Sequence, residues 1–250
     1  QRQMCIRDRE VQVQAFGYKT NDELNDMTFQ RYKLINRAPE SIDSTFFAMW
    51  IDPDLGCSDD DYVGCDTSRS LMYVYNQDAA DGNPGCTCAS GAGSTTYCED
   101  IPILGVDYFR GPLDTSYTII ETIGGVTTAR DTFIEIGMSA FTYYNRGGDG
   151  VNPNTADPNL PEHYYNYLTG SWRDGTPFTF GGSGYNPNDP NAIPVDYAFI
   201  DPPNSPSGWS MCSEGLTFGD RRTIQASGPL LLDPGEVNEL IIGVPWVPSI

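Results

Sequence analysis

Short strand-like runs between polar turns are what most constrain the fold of this chain. The first of them alternates, others are rich in bulky and aromatic residues, and no stretch sustains a helical period. Val11, Val13 and Ala15 alternate with Gln12 and Gln14. Further strand-like runs lie at Met27 to Ile35, Thr45 to Ile51, Ser70 to Tyr75, Ile101 to Phe109, Tyr117 to Ile123 and Thr132 to Tyr144, with polar turns between them. Arg222 to Ala226, Gly228 to Leu232 and Val237 to Trp246 complete the set. Between the last two, Pro234-Gly235 supplies a fixed negative φ and then a permitted positive one, as a type II turn requires. One helix is expected, at Pro161 to Leu168, where proline suits a first turn. The pattern predicts an all-β fold, an antiparallel β-sandwich of Ig-like or jelly-roll-like kind with a long loop-rich aromatic insertion.

Composition divides the chain. Residues 145–215 hold most of the prolines, many glycines and aromatics, and few aliphatics. They read as a loop-rich insertion or small lobe, leaving 10–144 and 216–250 to build the sandwich. Residues 1–9 clash in charge with the rest of the chain, have no apolar core of a signal peptide, and resemble a translated adapter scar; they are set aside from the fold. On this reading the chain is a fragment of a longer protein.

The stretch Asp52-Pro53-Asp54-Leu55-Gly56-Cys57-Ser58-Asp59-Asp60-Asp61-Tyr62-Val63-Gly64-Cys65-Asp66 carries six carboxylates in fifteen residues and no cation. Carboxylates ~6 Å apart at an effective dielectric of ~20 repel by roughly 2–3 kcal/mol per pair. A compact loop therefore needs something to offset the repulsion, and a hard divalent cation with many oxygen ligands is the simplest candidate. The register is not that of an EF-hand: Gly56, Cys57 and Val63 stand where Asp or Asn, Gly and Glu are required. The expected Ca2+ ligands are Asp52, Asp54, Asp60, Asp61 and Asp66, with Asn76 or Asp78 from the neighbouring polar cluster.

A formal net charge of −20 argues against nucleic acid and anionic membrane surfaces as partners. No run of eighteen apolar residues exists, so no membrane insertion by a helix is expected. Setting aside Cys5, six cysteines remain: Cys57, Cys65, Cys86, Cys88, Cys98 and Cys212. Cys86-Thr87-Cys88 is not a zinc or redox motif and the one histidine is His163, which points to disulfides formed in an oxidising compartment. Fifteen pairings are possible. One of them, Cys57 with Cys65, would close the acidic loop and contribute roughly 2.5 kcal/mol on the chain-entropy account.

Five segments share a further likeness: Phe29 to Arg37, Trp50 through the acidic loop to Asp66, Ser70 to Asn76, Tyr165 to Pro177, and Gly219 to Pro229 with the Pro234-Gly235 turn after it. They resemble a group of secreted surface proteins of Bacteroidota that usually end in a type IX secretion (por) sorting domain. The resemblance spans nearly the whole chain and implies a place outside the cell or on its surface. It brings no catalytic residues.

Other chemistry is thin. His163 has no nucleophile motif beside it and reads as a surface or packing histidine. Asp220-Arg221-Arg222 reads as an arginine clamp on nearby aspartates, the acidic loop among them, ahead of an anion-capture site. Gly181-Gly182-Ser183-Gly184 lacks the following lysine and helix of a phosphate loop. Tyr143, Tyr144, Tyr164, Tyr165, Tyr167, Trp172, Tyr185 and Trp209 could stack on sugar rings or could be the core of a lobe poor in aliphatics, and core is the favoured reading. Among thirty-four acidic residues a glycosidase pair cannot be picked out. The expectation is an extracellular, non-catalytic, calcium-stabilised and disulfide-bonded module of a larger protein, structural or adhesive in role. Glycans, other cell-surface components and further domains of the same polypeptide are its expected partners. The alternative is a carbohydrate-binding or glycan-hydrolysing module that uses the aromatic lobe.

Overall fold

The computed structural model describes residues 9–82, 86–88, 96–148, 150–217 and 219–249. It is all-β and sandwich-like. Among the described residues eleven strands form three antiparallel sheets, with one α-helix beside them.

The larger sheet has six strands: β1 (Arg9–Gly17), β2 (Met27–Asn36), β4 (Asp61–Asp66), β5 (Leu71–Asn76), β6 (Ile103–Arg110) and β11 (Val237–Val247), in the order β1-β2-β11-β6-β5-β4. The smaller sheet has β3 (Ile42–Ile51), β9 (Ala140–Asn145) and β10 (Arg221–Leu232), with β10 in the middle. The sheets face each other through β6 and β10: the Tyr108 hydroxyl donates to the Gln225 carbonyl at 2.8 Å, and the Gln225 amide reaches back to the Val106 carbonyl at 3.3 Å. Between them lies a core of alternating inward residues such as Val63, Val74, Ile224 and Ile242.

Most of the expected strands form; the runs Arg222 to Ala226 and Gly228 to Leu232 are one continuous strand, β10, and two further differences stand out. The run Thr132 to Tyr144 is two strands, because it bends at Gly137, whose hydrogen faces Ser70; a Cβ there would lie 2.3 Å from the Ser70 Oγ. Its first part belongs to a hairpin of β7 (Leu113–Ile123) and β8 (Val126–Glu135), turned at Gly124-Gly125 with φ of 60° and 80°. Two consecutive positive φ values are what a tight hairpin turn asks of its central pair. The second difference is β4, which forms inside the acidic stretch itself.

The helix α1 (Pro161–Leu168) is where the proline signal placed it, and Gly235 adopts φ 81° in the expected turn. Residues 145–215 share one hydrophobic cluster with the sheets: Tyr167, Trp172, Phe178, Phe199, Trp209 and Met211 are all buried in it. The segment Asp196–Phe199 joins the two sheets at their open edges. Phe141 of β9 donates to the Asp196 carbonyl at 3.0 Å and accepts from the Ala198 amide at 2.9 Å, while the Cys65 amide of β4 donates to the Phe199 carbonyl at 3.2 Å. Backbone groups that an edge strand would otherwise leave open are thereby paired.

The disulfides are Cys57–Cys86 and Cys88–Cys98. Cys65 is not the partner of Cys57: it is buried as a thiol in β4, with Sγ 3.4 Å from the Ala198 carbonyl. The strand period turns Cys65 into the core, away from the loop that carries Cys57.

Candidate functional site at the acidic loop

The acidic loop is the crossing between sheets. The chain leaves the smaller sheet at Ile51 and enters the larger one at Asp61. The crossing needs Gly56, which has φ 76° and whose missing Cβ would meet the Asp81 Oδ2 at 2.0 Å. That close approach lets one carboxylate hold the loop from inside.

Three carboxylates form an inner tier: Asp60, Asp61 and Asp81, exposed by only 0, 2 and 1%. Each accepts from backbone N–H groups. Asp61 Oδ2 takes the Leu55 amide at 2.9 Å, Asp60 Oδ2 takes the Gly82 amide at 2.8 Å, and Asp81 takes Cys57 at 2.8 Å through Oδ1 and Tyr97 through Oδ2. Burial pushes the Asp61 carboxyl up to about 8, against the Leu55 hydrogen bond and with help from the neighbouring charges of Asp60, Asp81 and Asp54. At neutral pH Asp61 therefore carries its proton for most of the time, and the formal charge of the loop overstates the real one.

An outer tier faces solvent. Asp52 and Asp54 come together with Asp220, their carboxylate oxygens within 4.8 Å of one another. Asp54 is raised from the usual carboxylate range, first by desolvation and then by Asp52 and Asp220. Arg222 lies among them: its Nη1 is 2.9 Å from Asp220 Oδ1, its Nη2 3.3 Å from Asp52 Oδ2, and its Nε 4.0 Å from Asp157 Oδ1. Burial works against that guanidinium charge, but Asp220, Asp52 and Asp157 outweigh it and raise the group above its ordinary value.

Arg221 takes the opposite face of the strand. It is buried with its guanidinium over the Tyr62 ring at 5.4 Å and donates to the carbonyls of Asp61, Gly219 and Thr217. The arginine clamp expected from Asp220-Arg221-Arg222 thus forms through Arg222 alone.

The seven expected ion ligands do not share one centre. Asp52 and Asp54 meet in the outer tier. Asp60 and Asp61 lie in the inner tier, and Asn76 pairs with Asp61 across the β4–β5 ladder. Asp66 is at the other end of β4, where bonds from Ser68 and Arg69 hold its carboxyl below the usual range. Asp78 closes its own turn by accepting the Ala80 amide at 2.9 Å. Two carboxylates that belong to the site, Asp81 and Asp220, lie outside the stretch 52–66. Asp220 had a signal in its two arginine neighbours; Asp81 had none beyond a polar setting.

No protein-family model, curated protein or solved structure matches this chain. The site is therefore read from its own chemistry. Among the described residues it offers acceptor oxygens, the clamped Arg222 guanidinium, a second guanidinium from Arg146 at 3.5 Å from Asp220 Oδ2, and no activated nucleophile. His163, the sole histidine, sits elsewhere, its Nδ1 accepting from the Arg173 Nε at 3.0 Å. It locks helix α1 to the loop after it. Of the eight expected platform aromatics, Tyr143, Tyr144, Tyr167, Trp172 and Trp209 are buried, while Tyr164 and Tyr165 are exposed.

Proposed function

We propose that this chain is a non-catalytic, disulfide-braced module of a larger extracellular or cell-surface protein, with a structural or adhesive role. The observation that carries the reading is the Cys57–Cys86 bridge, which ties the crossing between the sheets to the segment before Cys88–Cys98. Disulfides that hold a charged crossing in place suit an oxidising compartment and serve no purpose in a reducing one. The charge of −20 and the resemblance to secreted surface proteins of Bacteroidota agree with that location. Among the described residues no helix is long and apolar enough to cross a membrane.

The test is thiol accounting on protein recovered from an oxidising and from a reducing host. Protein from the oxidising host is expected to shield Cys57, Cys86, Cys88 and Cys98 from alkylation and to melt cooperatively at a higher temperature. Equal melting with all four thiols reduced overturns the reading.

Calcium is the second part of the proposal, supported by the convergence of Asp52, Asp54 and Asp220. Such an ion shares its ligands with Arg222, which already neutralises part of the charge. EDTA is expected to lower the melting temperature by several degrees and calcium to restore it. An unchanged melt leaves the charge balance to Arg222, to Arg146, whose Nη1 lies 3.5 Å from Asp220 Oδ2, to the buried Arg221, and to the backbone amides and the Asp61 proton.

A further inference from the structure

A second site lies on the other side of the smaller sheet. A cleft of about 320 Å³ opens between helix α1 and strands β3 and β10. Its apolar wall is Tyr165, Phe46 and Pro229; its polar rim is Ser44, Thr169 and Asp196. We infer that this cleft is a binding site for a neutral saccharide ring, with Tyr165 as the stacking surface and Asp196 as the acceptor for ring hydroxyls.

The chemistry of the lining selects the ligand. Tyr165 is 46% exposed and is braced edge-to-face by Phe46, with ring centroids 5.8 Å apart at 86°. One supported aromatic face meets the C–H face of a sugar ring. Among the described residues no group donates to the Asp196 carboxylate, so both its oxygens remain open to accept hydroxyls. Ser44 adds a hydroxyl that has no partner among the described residues. The Thr169 hydroxyl, which donates to the Tyr165 and Asn166 carbonyls at 3.1 Å, keeps acceptor capacity. No lysine or arginine is among the residues that line the cleft, which argues against an anionic ligand. A quaternary ammonium would want several ring faces around it, and Tyr165 presents one. The size is at the small end of ligand pockets, suited to one ring.

The frame is rigid where it needs to be. The Asp196 backbone is pinned to β9 through Phe141, and Thr169 closes the end of helix α1 by its amide bonds to Tyr165 and Asn166. The cleft is apart from the acidic loop and its inference does not depend on where the protein resides, so its failure would leave the module reading standing.

The experiment is an amide NMR titration of the whole chain with the methyl glycosides of glucose, galactose and mannose. At least one is expected to shift the resonances of Ser44, Thr169 and Asp196 together. Tyr165→Ala and Asp196→Asn are each expected to weaken that binding about tenfold while keeping a folded spectrum. Tyr164→Ala, exposed on the same helix but outside the cleft, is expected to change nothing. Four results overturn the inference: no shifts at saturating glycoside, shifts confined to other surfaces, shifts at the cleft with choline and with none of the glycosides, or a Tyr165→Ala variant that binds as well as Tyr164→Ala. Should Tyr165→Ala lose its folded spectrum, Asp196→Asn alone decides, since it keeps the side chain's shape while removing the charge and turning one acceptor oxygen into a donor.

Discussion

Arg222 and Asp52 meet because the ladder places them side by side. Thr223 of β10 pairs with Ile51 of antiparallel β3, so the residue before Thr223 and the residue after Ile51 lie at the same sheet end, and Nη2 comes to 3.3 Å from Oδ2. The two strands are far apart in the chain, yet their register assigns a cation to a loop that has none of its own.

Removing that cation is the direct check. Arg222→Ala is expected to cost about 1–2 kcal/mol, because Asp52 and Asp54 then repel Asp220 with only the exposed Arg146 left to pair with it; partial exposure keeps the figure modest. Urea denaturation of the two proteins measures it. Calcium is expected to stabilise the variant more than the parent, since the ion then has the oxygens to itself.

Asp61 makes stability fall as pH rises. Its folded carboxyl titrates at about 8 against an ordinary value of 3.8, so between those values the folded state holds a proton that the unfolded state has released. Stability is fully present below the lower value and is lost as pH climbs through the upper one, with a slope of up to about 1.4 kcal/mol per pH unit. Asp61→Asn keeps an oxygen for the Leu55 amide and is expected to flatten that slope between pH ~4 and ~8. A slope unchanged by the substitution would assign the pH dependence to another group.

The two disulfides are expected to differ in weight. Cys57–Cys86 spans 29 residues and Cys88–Cys98 spans 10. The chain-entropy account gives about 3.5 kcal/mol for the first and about 2.7 kcal/mol for the second. Replacing both cysteines of each bridge by serine, and comparing the denaturation midpoints, ranks them. The first replacement also frees the crossing between sheets, so its loss is expected to exceed the second.

Phe199 tests whether the aromatic segment stands alone. Its ring contacts Tyr143 and Trp209, each with centroids 5.1 Å away, and its carbonyl holds the edge of β4. Phe199→Ala is expected to cost about 3–5 kcal/mol. Because residues 145–215 and the sheets share one buried cluster, tryptophan fluorescence and far-UV circular dichroism are expected to report a single transition. Two separated transitions would make the segment an independent domain.

Local pattern is legible in the sequence and long-range pairing is not. The alternation at Val11 to Ala15, the proline at the start of α1 and the Pro234-Gly235 turn each depend on neighbours within a few residues, and each appears where the pattern puts it. Strand β4 is hidden because its acidic start, Asp61, looks like loop until the Leu55 amide and a proton make it tolerable inside. The pairing of Cys57 is open for a similar reason: Cys65 is near in sequence, but the strand turns it inward, and Cys86 arrives from a loop whose path only the sheets fix.

The sequence by itself therefore determined an all-β chain, strongly acidic, with its helix and turns in place. Tertiary structure decided which charges meet, which cysteines join and which aromatics become core. The reason is physical. Periodicity is written into each segment by the geometry of its own backbone, whereas contact between Asp54 and Asp220, or between Phe199 and the edge of β4, exists only once two sheets have closed on each other.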